Sequence, residues 1–405
     1  MNVIMIAPGY PDEMPLFVRG LALEGGNVIG VGDQPEHDVP QLAARHLAAY
    51  IRVPSLQDED ECMRVVSRWA QGKQIDRVIC LWEPGVLLAA RLREQLGVPG
   101  MSVEDANAFR DKDIMKEKVA KAGIRTPMHK GAKSAQGVRA AIKKIGYPVI
   151  IKPIAGAGSM DTHRVDNAEQ LKEVIKQLGH VDHVNVEEFI DGEEYTYDTI
   201  CVNGKMVYRN IGYYRPRPLN ARSNEWISPQ TLCLRDLDAP ELKEGHEMGQ
   251  AVLDALNFKT GFTHMEWYRK SNGEVVFGEI AARPAGARTV DLMNFVSDID
   301  LFRGYAEAEI HGRFSQDATR KYNTANIFKR AQGQGRIQRI EGLEDIKRRF
   351  GPAIVNIDLL PIGAPRRNWV QTLISDGYVT LRHPDLQTLF DMADAVGTDL
   401  NMYAG

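Results

Sequence analysis

The chain has 405 residues, of which 43% are hydrophobic and 26% charged, with a formal net charge of −4. A length beyond ~300 residues exceeds what one hydrophobic core usually serves, so two or three domains packed together are expected. The balanced charge excludes the basic excess that binding to nucleic acid or an anionic membrane would draw on.

The first apolar stretch, Val3 to Ala7, is broken at once by Pro8, Gly9 and Pro11. It is too short for a signal-peptide core or a spanning helix, and a cytoplasmic location is expected. Cys62, Cys80, Cys201 and Cys233 lie far apart and form no CxxC pair. They read as thiols in a reducing compartment, not as a disulfide framework or a structural zinc site.

Over the first hundred residues short apolar runs alternate with helical patterns. Val3 to Ala7, Val28 to Val31 and Arg77 to Leu81 read as strands, with helices near Glu13 to Glu24 and Val86 to Leu96. That is the rhythm of a parallel sheet with crossover helices. The first turn, Ala7-Pro-Gly-Tyr-Pro11, lacks the GxGxxG cradle, which counts against nicotinamide binding. One charged amphipathic helix is expected from Asp105 to Lys121, stopped by Gly123 and Pro127.

The next unit reads as a helix over Ala135 to Lys144, a strand over Val149 to Lys152, a loop of small residues, a helix over Ala168 to Leu178 and a strand over Val184 to Glu188. Past Glu193 the pattern turns to strands, Tyr195 to Val202 and Met206 to Ile211, joined by Asn203-Gly204. The polar segment Arg215 to Thr231 is a lid candidate, because long insertions of this kind are usually functional. A helix near Leu242 to Leu256 leads into paired strands, Thr260 to Tyr268 and Val275 to Ala281. From about Ala331, short strands such as Ile354 to Leu360 suggest a smaller closing domain.

Three segments carry chemistry. In Tyr147-Pro-Val-Ile-Ile-Lys-Pro-Ile-Ala-Gly-Ala-Gly-Ser159 an apolar strand delivers Lys152, and residues Ala155, Gly156, Ala157, Gly158 and Ser159 are small enough for backbone N–H groups to approach an anion. Read alone, the segment is also an exposed strand end with an ordinary turn. In Asn185-Val-Glu-Glu-Phe-Ile-Asp-Gly-Glu-Glu-Tyr195 the extended backbone of Glu187, Glu188, Phe189 and Ile190 can read an adenine edge, and a carboxylate after the turn can accept from ribose hydroxyls. By itself this is equally a solvated acidic turn.

In the third, period-2 alternation puts His264 and Glu266 on one strand face, and Glu279, Ala281 and Arg283 on one face of the next. Facing carboxylates repel unless a cation lies between them, and hard oxygen ligands suit Mg²⁺. A cross-strand salt-bridge cluster is the alternative.

Taken in order, and with the lead-in Phe109-Arg-Asp-Lys-Asp-Ile-Met-Lys116, these segments resemble the ATP-grasp superfamily over roughly Met1 to Arg330. The resemblance implies an α/β fold, α+β in the ATP-binding part, with a Rossmann-like N-terminal parallel-sheet domain (1–105). An ATP-grasp domain (106–330, lid subdomain about 125–190) and a small C-terminal α+β domain (331–405) would follow. It implies Lys112 and Lys152 on the ATP phosphates, Ala155 to Ser159 as the loop over them, Glu187 to Ile190 as the adenine hinge and Glu194 on the ribose. Glu266 and Glu279 would bind Mg²⁺, with Mn²⁺ as the alternative, and Arg283 would act catalytically on the carboxylate and acyl phosphate, with His264 beside it.

The implied activity is an ADP-forming carboxylate-amine ligase, most similar to the L-amino-acid and dipeptide ligases. Its substrates would be small molecules, amino acids foremost, with no nucleic-acid or membrane partner, and a homodimer is the candidate assembly. One departure stands out: the family commonly has Asn where this chain has Ala281, which removes one metal-ligand oxygen. That motivates a second reading, a nucleotide-binding regulatory protein without turnover. A third, a carboxylating enzyme of the biotin-carboxylase kind, finds no Met-Lys-Met carrier segment in the chain. Arg209, Arg215, Arg217 and Arg222, beside Tyr213, Tyr214 and Trp226, form a mix suited to clamping a carboxylate and covering an apolar side chain.

Overall fold

The computed structural model describes residues 1–154, 161–372 and 374–405. Strands β1 (Asn2–Ile6), β2 (Asn27–Gly32), β3 (Leu47–Arg52) and β4 (Arg77–Cys80) form a parallel sheet in the order β3-β2-β1-β4. Alternation along β1 sends Val3 and Met5 into one core with Phe17 and Val18, and Ile4 and Ile6 into another with Leu88 and Leu92. Both faces are therefore covered, which is why these strands read as continuous apolar runs. Helix Val86–Leu96 stops at Gly97, whose φ of 64° is the left-handed conformation that glycine adopts without strain.

The stretch expected as one helix from Asp105 to Lys121 is two, Val103–Arg110 and Lys112–Lys121. Asp111 between them is extended, and its carboxylate accepts from the N–H groups of Asp113 (2.9 Å) and Ile114 (3.0 Å). An N-cap inside a run of good helix formers ends one helix and starts the next. Lys112 consequently opens a helix and does not sit mid-way along one.

A second sheet is antiparallel, β5 (His129–Ala132), β6 (Val149–Pro153), β7 (His163–Val165) and β8 (Val184–Glu188) in the order β5-β8-β6-β7. Val149, Ile151 and Val186 pack under helices Ala135–Ile145 and Ala168–Gln177 as a core of their own. The alternate residues Ile150, Lys152 and Glu187 turn to the other face, toward the cavity described below.

The third sheet is built from β9 (Glu193–Val202), β10 (Lys205–Arg215), β11 (Gln230–Cys233), β12 (Gly261–Arg269), β13 (Val275–Ala281) and β14 (Asn323–Phe328). The chain continues through β15 (Gln332–Gly333), β16 (Ile337–Glu341), β17 (Ile354–Leu359), β18 (Gly377–His383) and β19 (Asn401–Ala404). Two of these late strands extend the third sheet to eight, in the order β13-β12-β9-β10-β11-β14-β18-β17, while β15, β19 and β16 form a small sheet. Helix Leu301–His311 joins the parallel sheet to the eight-stranded one: Phe302 and Tyr305 share a core with Phe17, Ile200 and Phe262. The approach is close, since a Cβ on Gly20 would stand 2.3 Å from the Phe302 carbonyl oxygen. Among the described residues no helix is long and apolar enough to cross a membrane.

Candidate active site

A cavity opens between the inner face of the second sheet and the β9, β12 and β13 end of the third, with about 760 Å³ of empty space including its solvent mouth. Lys112, Lys152, Glu187, Glu188, Phe189, Ile190 and Glu194 line it, as do Glu266 and Glu279. Residues Ala155, Gly156, Ala157, Gly158 and Ser159 lie outside the described residues. His264 and Arg283 are not lining residues; each is held nearby by a carboxylate.

The floor is a charge network. Glu279 Oε2 lies 3.4 Å from both Lys112 Nζ and Lys152 Nζ, and Lys152 reaches Glu187 Oε1 at 2.7 Å. The other Glu187 oxygen takes Lys116, which is wholly buried. Lys116 was not among the expected site residues, although a signal exists. Lys112, Met115, Lys116 and Val119 follow the spacing of an apolar helix face and all four are buried, with two lysines where leucines would be ordinary.

Burial pushes the Glu279 carboxyl up, but the ammonium groups of Lys112, Lys152 and Lys116 outweigh it and hold it far below the carboxylate range. Burial also lowers Lys152, against the pull of Glu279, and lowers Lys116 strongly, helped by Lys152. Three lysines converge here on Glu187 and Glu279. A polyphosphate is the complement of such a floor.

The β12–β13 register places Glu266 opposite Glu279 and His264 opposite Ala281. His264 Nε2 stands 3.7 Å from Glu266 Oε1, and Nδ1 stands 2.6 Å from Asp198 Oδ1. Asp198 is fully buried, and its second oxygen accepts from Thr196 Oγ1 (2.9 Å) and Asn210 Nδ2 (3.1 Å). Burial would lower His264, but the hydrogen bond and charge of Asp198 raise it to about 9, so the ring is an imidazolium at neutral pH. Tyr214 adjoins this group: burial first, and then the charge of Glu266, push its phenol well up.

Among the described residues no group of three or more His, Cys, Asp and Glu is arranged to hold a metal. The two facing carboxylates nevertheless fit Mg²⁺, which prefers hard oxygen donors and commonly takes one or two carboxylates, completing its shell with phosphate and water.

At the opposite end, Glu188 pairs with Arg125 (2.8 Å) and accepts from the Met128 N–H (3.1 Å). Arg217 donates to the Ile190 carbonyl (2.9 Å) and to Glu194 Oε2 (3.2 Å), and its guanidinium lies 5.2 Å from the Phe189 ring and 5.0 Å from the Tyr268 ring. Burial, then the charge of Glu266, push Glu194 up to about 7 despite Arg217.

Of the four arginines expected to act as a clamp, Arg217 lines the cavity. The other three point elsewhere: Arg209 to Asp238 and His246, Arg215 to Asp394 (3.0 Å), and Arg222 to the Val370 carbonyl (2.9 Å). The lid-candidate segment itself carries helix Pro218–Ser223 and is pinned by Arg330, which donates to the Ala221 and Asn224 carbonyls at 2.8 Å each.

Arg283 is held by a residue that sequence reasoning missed. Its Nε and Nη2 each lie 2.8 Å from Glu83 Oε2, and Nη1 donates to the Pro284 carbonyl at 2.7 Å. Glu83 belongs to the turn after β4, two hundred residues away in sequence.

Residues 145–291 match the family described as the ATP-grasp domain, and residues 22–100 the family described as the ATP-grasp N-terminal domain. The chain is 25% identical over 292 residues to an L-arginine-specific L-amino acid ligase of Bacillus subtilis, covering 70% of this chain and 69% of that protein. It is also 25% identical over 265 residues to an alanine–anticapsin ligase of Bacillus subtilis (strain 168), covering 60% of this chain and 56% of that one. Among solved structures, an L-amino acid ligase from Bacillus licheniformis superposes with a TM-score of 0.80 at 19% identity, over 100% of this chain and 98% of that one, a likeness of fold.

Proposed function

From the premise that this chain belongs to the ATP-grasp superfamily, we propose that it is an ATP-dependent ligase that phosphorylates a carboxylate and joins the acyl group to an amine, releasing ADP and phosphate. The observation that carries this reading is the meeting of Lys112, Lys152, Glu266 and Glu279 in one cavity. Lys112 and Lys152 bind the distal phosphates, Glu194 the ribose and the Glu187 to Ile190 backbone the adenine. Glu266 and Glu279 would hold Mg²⁺, which when bound neutralises phosphate charge. With the distal phosphates held there, the phosphorus offered to the substrate carboxylate is the γ-phosphorus. Arg283 neutralises the attacking carboxylate and the oxyanion that forms when the amine arrives, a role in which a planar fork outperforms a point charge.

The likeness to L-amino acid ligases supports amino acids as the acid and the amine. With hydroxylamine in place of the amine, the acyl phosphate is expected to be trapped as a hydroxamate, with one ADP per hydroxamate. Release of AMP and pyrophosphate would exclude the acyl-phosphate route. The regulatory reading motivated by Ala281 predicts no ADP release with any amino acid, so the same assay decides between the two.

A further inference from the structure

Glu83 lies in the turn between β4 and helix Val86–Leu96, on the parallel sheet, and carries an arginine on each oxygen. Oε1 takes Arg110 Nη1 at 2.6 Å, and Oε2 takes both Nε and Nη2 of Arg283 at 2.8 Å. The three side chains are 11%, 15% and 19% exposed, so the pairs are little screened by solvent. Arg110 is the residue before Asp111, the cap that opens the Lys112 helix. One helix junction thus anchors Glu83 and delivers Lys112 to Glu279.

A guanidinium has five N–H bonds. The Nε N–H donates to Glu83 and one on Nη1 to the Pro284 carbonyl, with Nη2 in ion-pair contact with Glu83, which leaves N–H groups on the terminal nitrogens for a ligand. The charges of Glu266 and Glu279 also reach Arg283. An arginine freed from Glu83 would be drawn to those carboxylates and would compete with a cation bound there.

We propose that Glu83 is a positioning residue for the ligase reaction, fixing the Arg283 fork toward the substrate carboxylate and keeping it off the Glu266–Glu279 pair, with Arg110 fixing Glu83 in turn. The proposal rests on the reading of Arg283 given above. It assigns to the N-terminal sheet a part in orienting the catalytic arginine, beyond covering the site.

A double-mutant cycle tests it, with ADP release and hydroxamate formation measured on an equimolar mixture of the proteinogenic L-amino acids and hydroxylamine. Glu83→Gln is expected to lower kcat by about tenfold or more while leaving affinity for a non-hydrolysable ATP analogue within about twofold. In an Arg283→Lys background, where no fork remains to orient, the same change should cost less than about threefold. If Glu83→Gln does not fold, Arg110→Met serves in the same cycle with the same expectation of coupling. Equal losses in both backgrounds, or loss of ATP affinity together with turnover, would show an ordinary interdomain ion pair and overturn the proposal. Wild-type turnover by Arg283→Lys alone would instead remove the reading of Arg283, a distinct failure that takes the proposal with it.

Discussion

Glu266 and Glu279 stand directly opposite each other across β12 and β13, yet their neighbours differ: two ammonium groups lie 3.4 Å from Glu279, and the His264 imidazolium lies 3.7 Å from Glu266. Glu279 is therefore both a metal-ligand candidate and the anion that keeps Lys112 and Lys152 together. Glu279→Gln is expected to reduce ADP release by about a hundredfold or more, because it removes a carboxylate that would hold a divalent cation beside the phosphates. Circular dichroism should remain native. Retained turnover would refute the metal assignment.

Ala281 sits opposite His264 on the same strand as Glu279 and has no side-chain oxygen to offer. Ala281→Asn should lower the Mg²⁺ concentration for half-maximal activity, by about two- to tenfold, since it adds a hard donor beside an existing pair. Titration of activity with Mg²⁺ reads this directly, and an unchanged midpoint would mean that water already completes the shell.

Lys152→Met and Lys112→Met should each weaken binding of a non-hydrolysable ATP analogue by about tenfold or more in calorimetry. Methionine suits the test better than alanine because Lys112 is only 6% exposed and truncation would leave a void. Lys116→Met should behave differently. Its partner Glu187 would keep Lys152, but a wholly buried ion pair would be broken, and a stability loss of about 3 kcal/mol in denaturant unfolding is expected.

Burial and the charge of Glu266 push Glu194 up to about 7, so its carboxyl titrates across the neutral range. A protonated carboxyl accepts poorly from ribose hydroxyls. ATP-analogue affinity should thus rise as pH goes from 6 to 8, by a few-fold more in the wild type than in Glu194→Gln, which cannot ionise. Comparing the two proteins at each pH cancels the titration of the phosphates. Parallel profiles would take Glu194 off the ribose.

Much of the fold could be read from local pattern. The strands Val184–Glu188 and Val275–Ala281 and the helix Val86–Leu96 have the bounds that apolar runs and a Gly stop mark out. Reading failed where a side chain overrode propensity, as at Asp111, whose carboxylate caps a helix inside a helical run. It failed again where pairing is remote. Nothing near Glu83 announces Arg283, and nothing near Arg209 or Arg222 says that they turn away from the cavity while Arg217 turns in. Lys116 was legible in principle, because a lysine on an apolar stripe needs a buried anion, but the sequence does not say which one.

The extension of the eight-stranded sheet through β14 to β18 and β17 bears on how this protein can be cut and recombined. A fragment ending near residue 330 would keep every side chain proposed here for ATP, yet it would strip β14 of β18, one of its two neighbours, along the register from Asn323 to Phe328. The bared edge, with Ala325 and Ile327 uncovered at the same stroke, is the kind of template that recruits other chains. Exchange of substrate preference between relatives is therefore better sought by grafting loops onto an intact sheet than by swapping the C-terminal segment as a module.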